Sequence, residues 1–462
     1  MERVFYVETN GVFSPPPKPM VNVFAERLLI VSRFLDRHLP STARVSYDQF
    51  INYYTGRKRT VYAGAVQDLE CCRINKSDAE ITAFEKAEKT NQTLKPLSAP
   101  RLISPRGPRY CVELGRYIKP IEGKVYRTIA RLFNEKTVMK GMNAKQVGSC
   151  FAKKWGRYRK PVAVGLDARR FDQHVSKDAL IWEHARYLSM FTGVDKIVLS
   201  ILLSWQLTNT CVGYTNDGKI KYTVDGCRMS GDMNTGLGNC LLMCAMVYAY
   251  CYSCGITKFS LANNGDDCVV IMEAAQLDQF IQGLDQWFLD MGFSMKVEDP
   301  VYELEQVEFC QAHPVFDGTQ WVMVRTVPVS LAKDCISIKP LDSKGAYTKW
   351  VAAIGQGGLS LTGGIPVCQN FYLGLIRASE GATAMVNDPT QDTGFYILAR
   401  GMERHYSTPT PEARVSFYIA FGILPDEQEA IEHYYDTHTP FWSDSNDYGT
   451  LPYIELPTLQ LL

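Results

Sequence analysis

The sequence has no net charge: across 462 residues, 49 Lys and Arg stand against 49 Asp and Glu. A uniformly basic coat for nucleic acid is thereby excluded, and any attraction to polyanions has to come from a local patch. Long apolar runs are also missing. The longest, Cys240 to Ile256, is 17 residues and is broken by Ser and Tyr, short of the roughly 20 that a membrane helix needs. No basic-then-apolar leader follows Met1. The seven histidines form no close pair and suggest no triad. Fourteen cysteines lack paired spacing: Cys251-x-x-Cys254 has no second pair at zinc-finger distance, and Cys240, Cys244 and Cys251 recur at helix-core positions. Such thiols fit a reducing, cytosolic compartment. The glycine-rich stretch Gly355 to Gly364 lacks the Gly-Lys-Ser/Thr ending of a phosphate-binding loop and reads as a plain loop. A content of 46% hydrophobic and 21% charged residues is ordinary for a globular chain of two or three subdomains.

What the chain does have is carboxylates in ordered places. Asn264-Gly265-Asp266-Asp267 lies between the apolar runs Phe259 to Ala262 and Cys268 to Met272, so it reads as a β-hairpin with two adjacent acids on its turn. Roughly a hundred residues earlier, Val162 to Leu166 is a short strand signal ending at Asp167, with a second acid at Asp172. Between the two acid sites comes Ser230-Gly231-Asp232-Met233-Asn234-Thr235-Gly236-Leu237-Gly238-Asn239, followed by an apolar segment, Cys240 to Tyr250, that reads as a buried helix.

This order of acid strand, Ser/Gly/Thr/Asn loop with helix, and acid hairpin resembles the palm of viral RNA-dependent RNA polymerases. Phe171-Asp172-Gln173-His174-Val175 together with the Ser230 to Asn239 string is most similar to the tombusvirus group of plant positive-strand RNA viruses. The resemblance implies template-directed RNA synthesis from ribonucleoside triphosphates. It implies two Mg²⁺ ions, with Mn²⁺ as a possible substitute, that stabilise the attacking and leaving oxygens together and prefer hard carboxylate ligands. Asp167 and Asp266 are the expected ligands and Asp267 a weaker or outer one. Each taken alone is equally a surface turn acid.

The same resemblance assigns the remaining roles. Asp172, Ser230, Thr235 and Asn239 would sense the nucleotide 2′-hydroxyl, which is both donor and acceptor. Ser and Asn as helix caps is the bland alternative. Lys296 would be the general acid on departing pyrophosphate, or else an ordinary exposed strand lysine. Glu308-Phe309-Cys310-Gln311 resembles the short hairpin at the palm and thumb junction that grips the primer end, with Cys310 as the expected contact.

Basic charge is concentrated where a triphosphate would need it. From Lys86 to Lys160, nineteen Lys or Arg face four Asp or Glu. Within it, Lys86, Lys89, Arg101 and Arg106 resemble the fingers motif that grips the incoming triphosphate, with Arg101 the strongest candidate. Arg106, Arg109 and Arg116 read equally as template-backbone contacts or fingers salt bridges. Upstream, Tyr53-Tyr54-Thr55-Gly56-Arg57-Lys58-Arg59 interleaves aromatics with a basic run, a pattern suited to template bases and phosphates, with Gly56, Arg57 and Lys58 as the expected contacts.

The expected fold class is α+β: a right-hand polymerase of fingers, palm and thumb, with a small antiparallel palm sheet and largely helical fingers and thumb. Residues 1–160 would form an N-terminal extension and fingers, 161–185 and 226–325 the palm, 186–225 a fingers insertion, and 326–462 the thumb and tail. From Leu277 to Met291, apolar residues at helical spacing predict one helix leading to Lys296. From Glu380 onward thirteen acids face three Arg, so this part should not track an RNA backbone. Its last stretch, from Tyr434, is either a packed tail or an internal regulator folded over the basic cleft. Expected partners are viral RNA template and product, rNTPs and a membrane-anchored auxiliary replicase protein. The expected location is the host cytoplasm at membrane-associated replication complexes, reached through that partner or through an N-terminal region of a longer product.

Overall fold

The structure is a computed structural model that describes residues 2–9, 11–89, 99–215, 218–338, 340–384 and 398–442. The chain divides into two compact units, one of residues 1–86, 92–138 and 165–299, the other of 87–91, 139–164 and 300–462. Residues 139–164 group with the C-terminal unit, and the division between the two units otherwise falls at 299/300. Helices and small sheets alternate in both.

The first unit is built on a four-stranded sheet in the order Met295–Val297, Pro161–Ala168, Asp267–Glu273, Ser260–Asn264. Strand Pro161–Ala168, whose Gly165–Ala168 half lies in this unit, pairs antiparallel with Met295–Val297. Ser260–Asn264 pairs antiparallel with Asp267–Glu273. Cys268 to Met272 are all buried, the unbroken apolar run of a strand covered on both faces. Helix Thr235–Ser253 supplies part of that cover, packing against Ser260–Asn264 and against helices Leu29–His38, Pro108–Leu132, Lys177–Leu188 and Leu284–Asp290. It has the length and apolarity of a membrane span, yet 78% of its most apolar window is buried inside the fold. Its hydropathy is that of a core helix.

A second four-stranded sheet has the order Leu102–Ile103, Ile81–Glu85, Thr208–Thr215, Gly218–Asp225, with Lys86 and Arg101 flanking its first two strands. Ile81–Glu85 runs parallel to Thr208–Thr215 and antiparallel to Leu102–Ile103.

Two sequence expectations change here. The helix expected from Leu277 to Met291 is two short helices, Leu277–Ile281 and Leu284–Asp290, because Gly283 adopts φ +81° and breaks the turn. In the second unit, Gly355 and Gly358 do not form a loop but lie inside helix Lys344–Thr362. A Cβ on either would collide with Tyr372 or Ile376 of helix Cys368–Ala378, so these glycines permit a close helix crossing. That unit is otherwise helical, with Val327–Asp334, Pro411–Phe421 and Pro425–Thr437 beside the hairpin Ala312–Phe316 and Trp321–Arg325.

Candidate active site

The acid hairpin forms as its sequence requires. Asn264 and Asp267 pair across a two-residue turn, and Gly265 at its first position holds φ +91°, open to glycine and costly for other residues. Buried Asn263 fixes the turn from beneath, its Nδ2 donating to Gly265 O at 2.7 Å and its Oδ1 accepting from Gly265 N at 3.3 Å. Asp266 and Asp267 are left exposed above it, and Asp167 is exposed at the end of its strand. Lys296 lies directly opposite Asp167 in the antiparallel register, so the two side chains share one face of the sheet.

Two of the four expected ribose-sensing residues, Asp172 and Asn239, meet beside this turn. Asn239 Nδ2 donates to Asp172 Oδ1 at 2.8 Å. A Cβ on Gly265 would lie 3.9 Å from Asn239 Cβ, which puts the hairpin turn against the helix that carries Asn239. Asp172 titrates above the ordinary aspartate range. Burial is the main cause, and Asp266 adds to it, while Asn239, Arg228 and Arg101 pull the other way. Arg101 and Asp266 therefore both lie within electrostatic reach of Asp172. Ser230 is tied through its carbonyl, which accepts from Ser104 N at 2.9 Å. The Thr235 hydroxyl donates to Met229 O at 2.8 Å and caps the loop locally.

Other expected contacts divide. Lys86 N donates to Arg101 O at 2.8 Å, which sets these two basic residues side by side at a sheet end. Arg106 is buried, and its guanidinium donates to Asp232 at 2.6 Å, Asn209 Oδ1 at 2.6 Å and Ala79 O at 2.8 Å. Those donors hold the Ser230 to Asn239 loop from within, the salt-bridge reading of this residue. Lys89 belongs to the second unit, where Nζ donates to Lys333 O at 2.7 Å and burial lowers its pKa. Gly56, Arg57 and Lys58 open helix Gly56–Cys71, and Lys58 Nζ sits over the rings of Tyr54 and Tyr62 at 5.2 and 5.8 Å. Cys310 and Gln311, both at positive φ, form the turn of a tight hairpin closed by Phe309 and Ala312, in the second unit.

The sequence reading missed the buried layer under the site. Arg228 Nε donates to Asn239 Oδ1 at 3.0 Å, and its Nη groups pair with Glu183, both side chains being inaccessible to solvent. Glu183 Oε1 also accepts from Tyr187 OH at 2.8 Å and Asn234 Nδ2 at 3.1 Å, and Asn234 exchanges hydrogen bonds with Gln206. His184 meets Gln206 Oε1 at 3.1 Å. Burial works against the Arg228 charge, but the Glu183 carboxylate more than offsets it and holds the pKa above the ordinary arginine value. Gly238 makes room for this pair, since a Cβ there would overlap Arg228 and Glu183. One signal was available: Arg228 stands two residues before Ser230, an arginine beside a loop that ends in a buried helix.

The donor set is of hard oxygens, as Mg²⁺ or Mn²⁺ prefers. Among the described residues no three His, Cys, Asp or Glu side chains are close enough to cage an ion unaided. Mg²⁺ sites of one or two carboxylates completed by substrate phosphates and water have that character. Asp167, Asp266 and Asp267, all exposed, offer carboxylate oxygens of the kind such a site uses.

A sequence profile described as "Viral RNA dependent RNA polymerase" matches residues 1–443. The chain belongs to the viral RNA-dependent RNA polymerase family. Among its relatives in the family is the RNA-directed RNA polymerase of tobacco necrosis virus (strain A), 47% identical over 441 residues, covering 95% of this chain and 60% of the relative. That of oat chlorotic stunt virus is 44% identical over 454 residues, covering 94% and 60%. That of tomato bushy stunt virus (strain Cherry) is 44% identical over 432 residues, covering 94% and 52%. The chain thus spans between half and two thirds of the length of these relatives, and the tombusvirus-like resemblance read from its motifs is the one the comparisons give.

Proposed function

We propose that this member of the viral RNA-dependent RNA polymerase family extends an RNA strand on an RNA template, consuming rNTPs, and that it serves replication of a positive-strand viral genome. The observation that carries the reading is the Asn239–Asp172 hydrogen bond set against the Gly265-Asp266 turn, a polar pair suited to a 2′-hydroxyl beside a carboxylate cluster. In this reading residues 161–185 and 226–325 are palm, 1–160 and 186–225 fingers with an N-terminal extension, and 326–462 thumb and tail.

Asp167, Asp266 and Asp267 would hold two divalent cations, which supply charge stabilisation for the attacking 3′-oxygen and the departing pyrophosphate. Arg101 and Lys86 orient the triphosphate by charge-assisted hydrogen bonds. Asp172 and Asn239 position the ribose, and Ser230 and Thr235 shape the loop around it. Lys296, on the face that carries Asp167, delivers a proton to the leaving oxygen of pyrophosphate. Lys58 with Tyr54 and Tyr62 offers a basic and aromatic surface to template. A membrane-anchored auxiliary protein and a location at host cytoplasmic membranes complete the proposal.

The experiment is incubation of the chain with an RNA template, Mg²⁺ and labelled rNTPs or dNTPs. Template-length ribonucleotide product is expected. A preference for dNTPs would favour a reverse transcriptase, and no product with either would leave an RNA-binding scaffold.

A further inference from the structure

One short piece of chain touches three segments of the site. Helix Glu2–Phe5 and the residue after it present backbone carbonyls to two side chains of the first acid motif. Glu2 O and Tyr6 O accept from Arg170 Nη1 at 3.1 and 3.2 Å, and from Gln173 Nε2 at 3.1 and 3.0 Å. The Glu2 carboxylate pairs with Arg170 Nη2. Arg170 lies between Asp167 and Asp172, Gln173 directly follows Asp172 in the short helix Phe171–His174, and Arg170 holds φ +49°, a conformation a non-glycine residue keeps only when its surroundings fix it.

On its other side, Arg3 Nε donates to Ala99 O at 3.0 Å and Pro100 O at 3.1 Å, the two residues before Arg101. Val4 and Phe5 pack against the cluster of Ile81, Ala83, Cys211, Val224 and Met229, the last of which precedes Ser230. Phe5 meets the Tyr222 ring edge-on at 5.7 Å. A helix of four residues has no stability of its own. It forms where those three segments already stand in the right places, and by the same coupling it holds them there.

We propose that Glu2–Tyr6 is a clasp for nucleotide selection: Glu2 and Arg3 are positioning residues that fix Asp172, Ser230 and Arg101 relative to one another, acting through Arg170, Gln173 and the Ala99–Pro100 backbone. The inference rests on the reading of those three as nucleotide contacts. A merely structural helix would change stability alone. A clasp changes local order in two distant segments and the balance between substrates.

The test uses the full chain with Glu2→Gln, Arg3→Ala and Arg3→Lys variants, and two measurements. Hydrogen exchange should rise about tenfold or more in peptides covering 99–104 and 169–175, the cost of one lost hydrogen bond, while helix Thr235–Ser253 is unchanged. KM for rNTPs should rise and the rNTP-over-dNTP ratio should fall, with Arg3→Lys restoring both. Unchanged exchange in the two segments overturns the clasp, whether or not the parent makes RNA. Raised exchange with KM and ratio as in the parent also overturns it, because order would then be lost without consequence for selection. A parent that makes no RNA defeats the functional reading, and the exchange arm still decides whether the clasp exists. If Arg3→Ala fails to fold, Glu2→Gln carries both measurements, since it removes one ion pair between partly exposed groups.

Discussion

Asn239 holds Asp172 with one end of its amide and Arg228 with the other: Nδ2 donates to the carboxylate at 2.8 Å while Oδ1 accepts from the guanidinium at 3.0 Å. Both contacts agree on which end is oxygen, so the amide has one orientation. Behind it stands the buried Arg228–Glu183 pair, and the candidate ribose contact is thereby braced from the core.

Removing that amide tests the ribose role. Asn239→Ala leaves Asp172 without its donor, and a hydrogen bond to a charged group is worth about 1.5–3 kcal/mol, so the ratio of kcat/KM for rNTP over dNTP should fall about 10- to 100-fold. A ratio within twofold of the parent would detach Asn239 from sugar recognition.

Arg228→Met tests the brace. It strands the Glu183 carboxylate in the core, a cost of about 3–5 kcal/mol of stability. The double variant Glu183→Leu/Arg228→Met should lose less than Arg228→Met alone, because no unpaired charge remains. Urea unfolding of the three proteins measures both. Equal losses in the single and double variants would mean that the ion pair is not the brace.

His184 gives the fold a pH dependence. Burial lowers its pKa to about 4 from the 6.5 of a free histidine. Between those values the unfolded chain binds a proton that the folded chain does not, so stability is full above pH 6.5 and declines as pH falls toward 4. The limit of the effect is about 3 kcal/mol. His174 and His313 are shifted in the same direction and add to it. Thermal unfolding between pH 7 and 5 should show the decline, and His184→Gln should shallow it. A flat profile in the parent would contradict the burial of this imidazole.

Lys296 can be tested by separating rate from binding. Lys296→Leu should slow single-turnover nucleotide addition about 10²- to 10⁴-fold with nucleotide affinity little changed, as loss of a general acid does. Weaker affinity at an unchanged rate would make Lys296 a phosphate contact.

The parts of this site that were legible in sequence are those written in consecutive residues. Asn264-Gly265-Asp266-Asp267 carries its own turn chemistry, and Ser230 to Asn239 carries its glycines and its apolar helix. Glu183 and Arg228 were not legible, since they lie 45 residues apart and only burial distinguishes them from surface charges. Arg106, read from the fingers resemblance as a phosphate contact or else a salt bridge, could not be decided in sequence, which shows its charge but not that Asp232 pairs with it. Gly355 and Gly358 read as a loop because local propensity cannot anticipate a neighbouring helix that requires the missing side chains. The Glu2–Tyr6 contacts join segments about a hundred or more residues apart and left no periodic signal at all. The acidic tail reading concerns residues that, beyond Trp442, lie outside those described.

The most direct test of the central claim is template-directed incorporation of labelled rNTPs by the parent chain beside Asp266→Ala and Asp267→Asn. Synthesis by the parent, none by Asp266→Ala and partial synthesis by Asp267→Asn are expected. Incorporation that persists in Asp266→Ala would contradict the account, because the carboxylate on the hairpin turn would then not be part of the catalytic site.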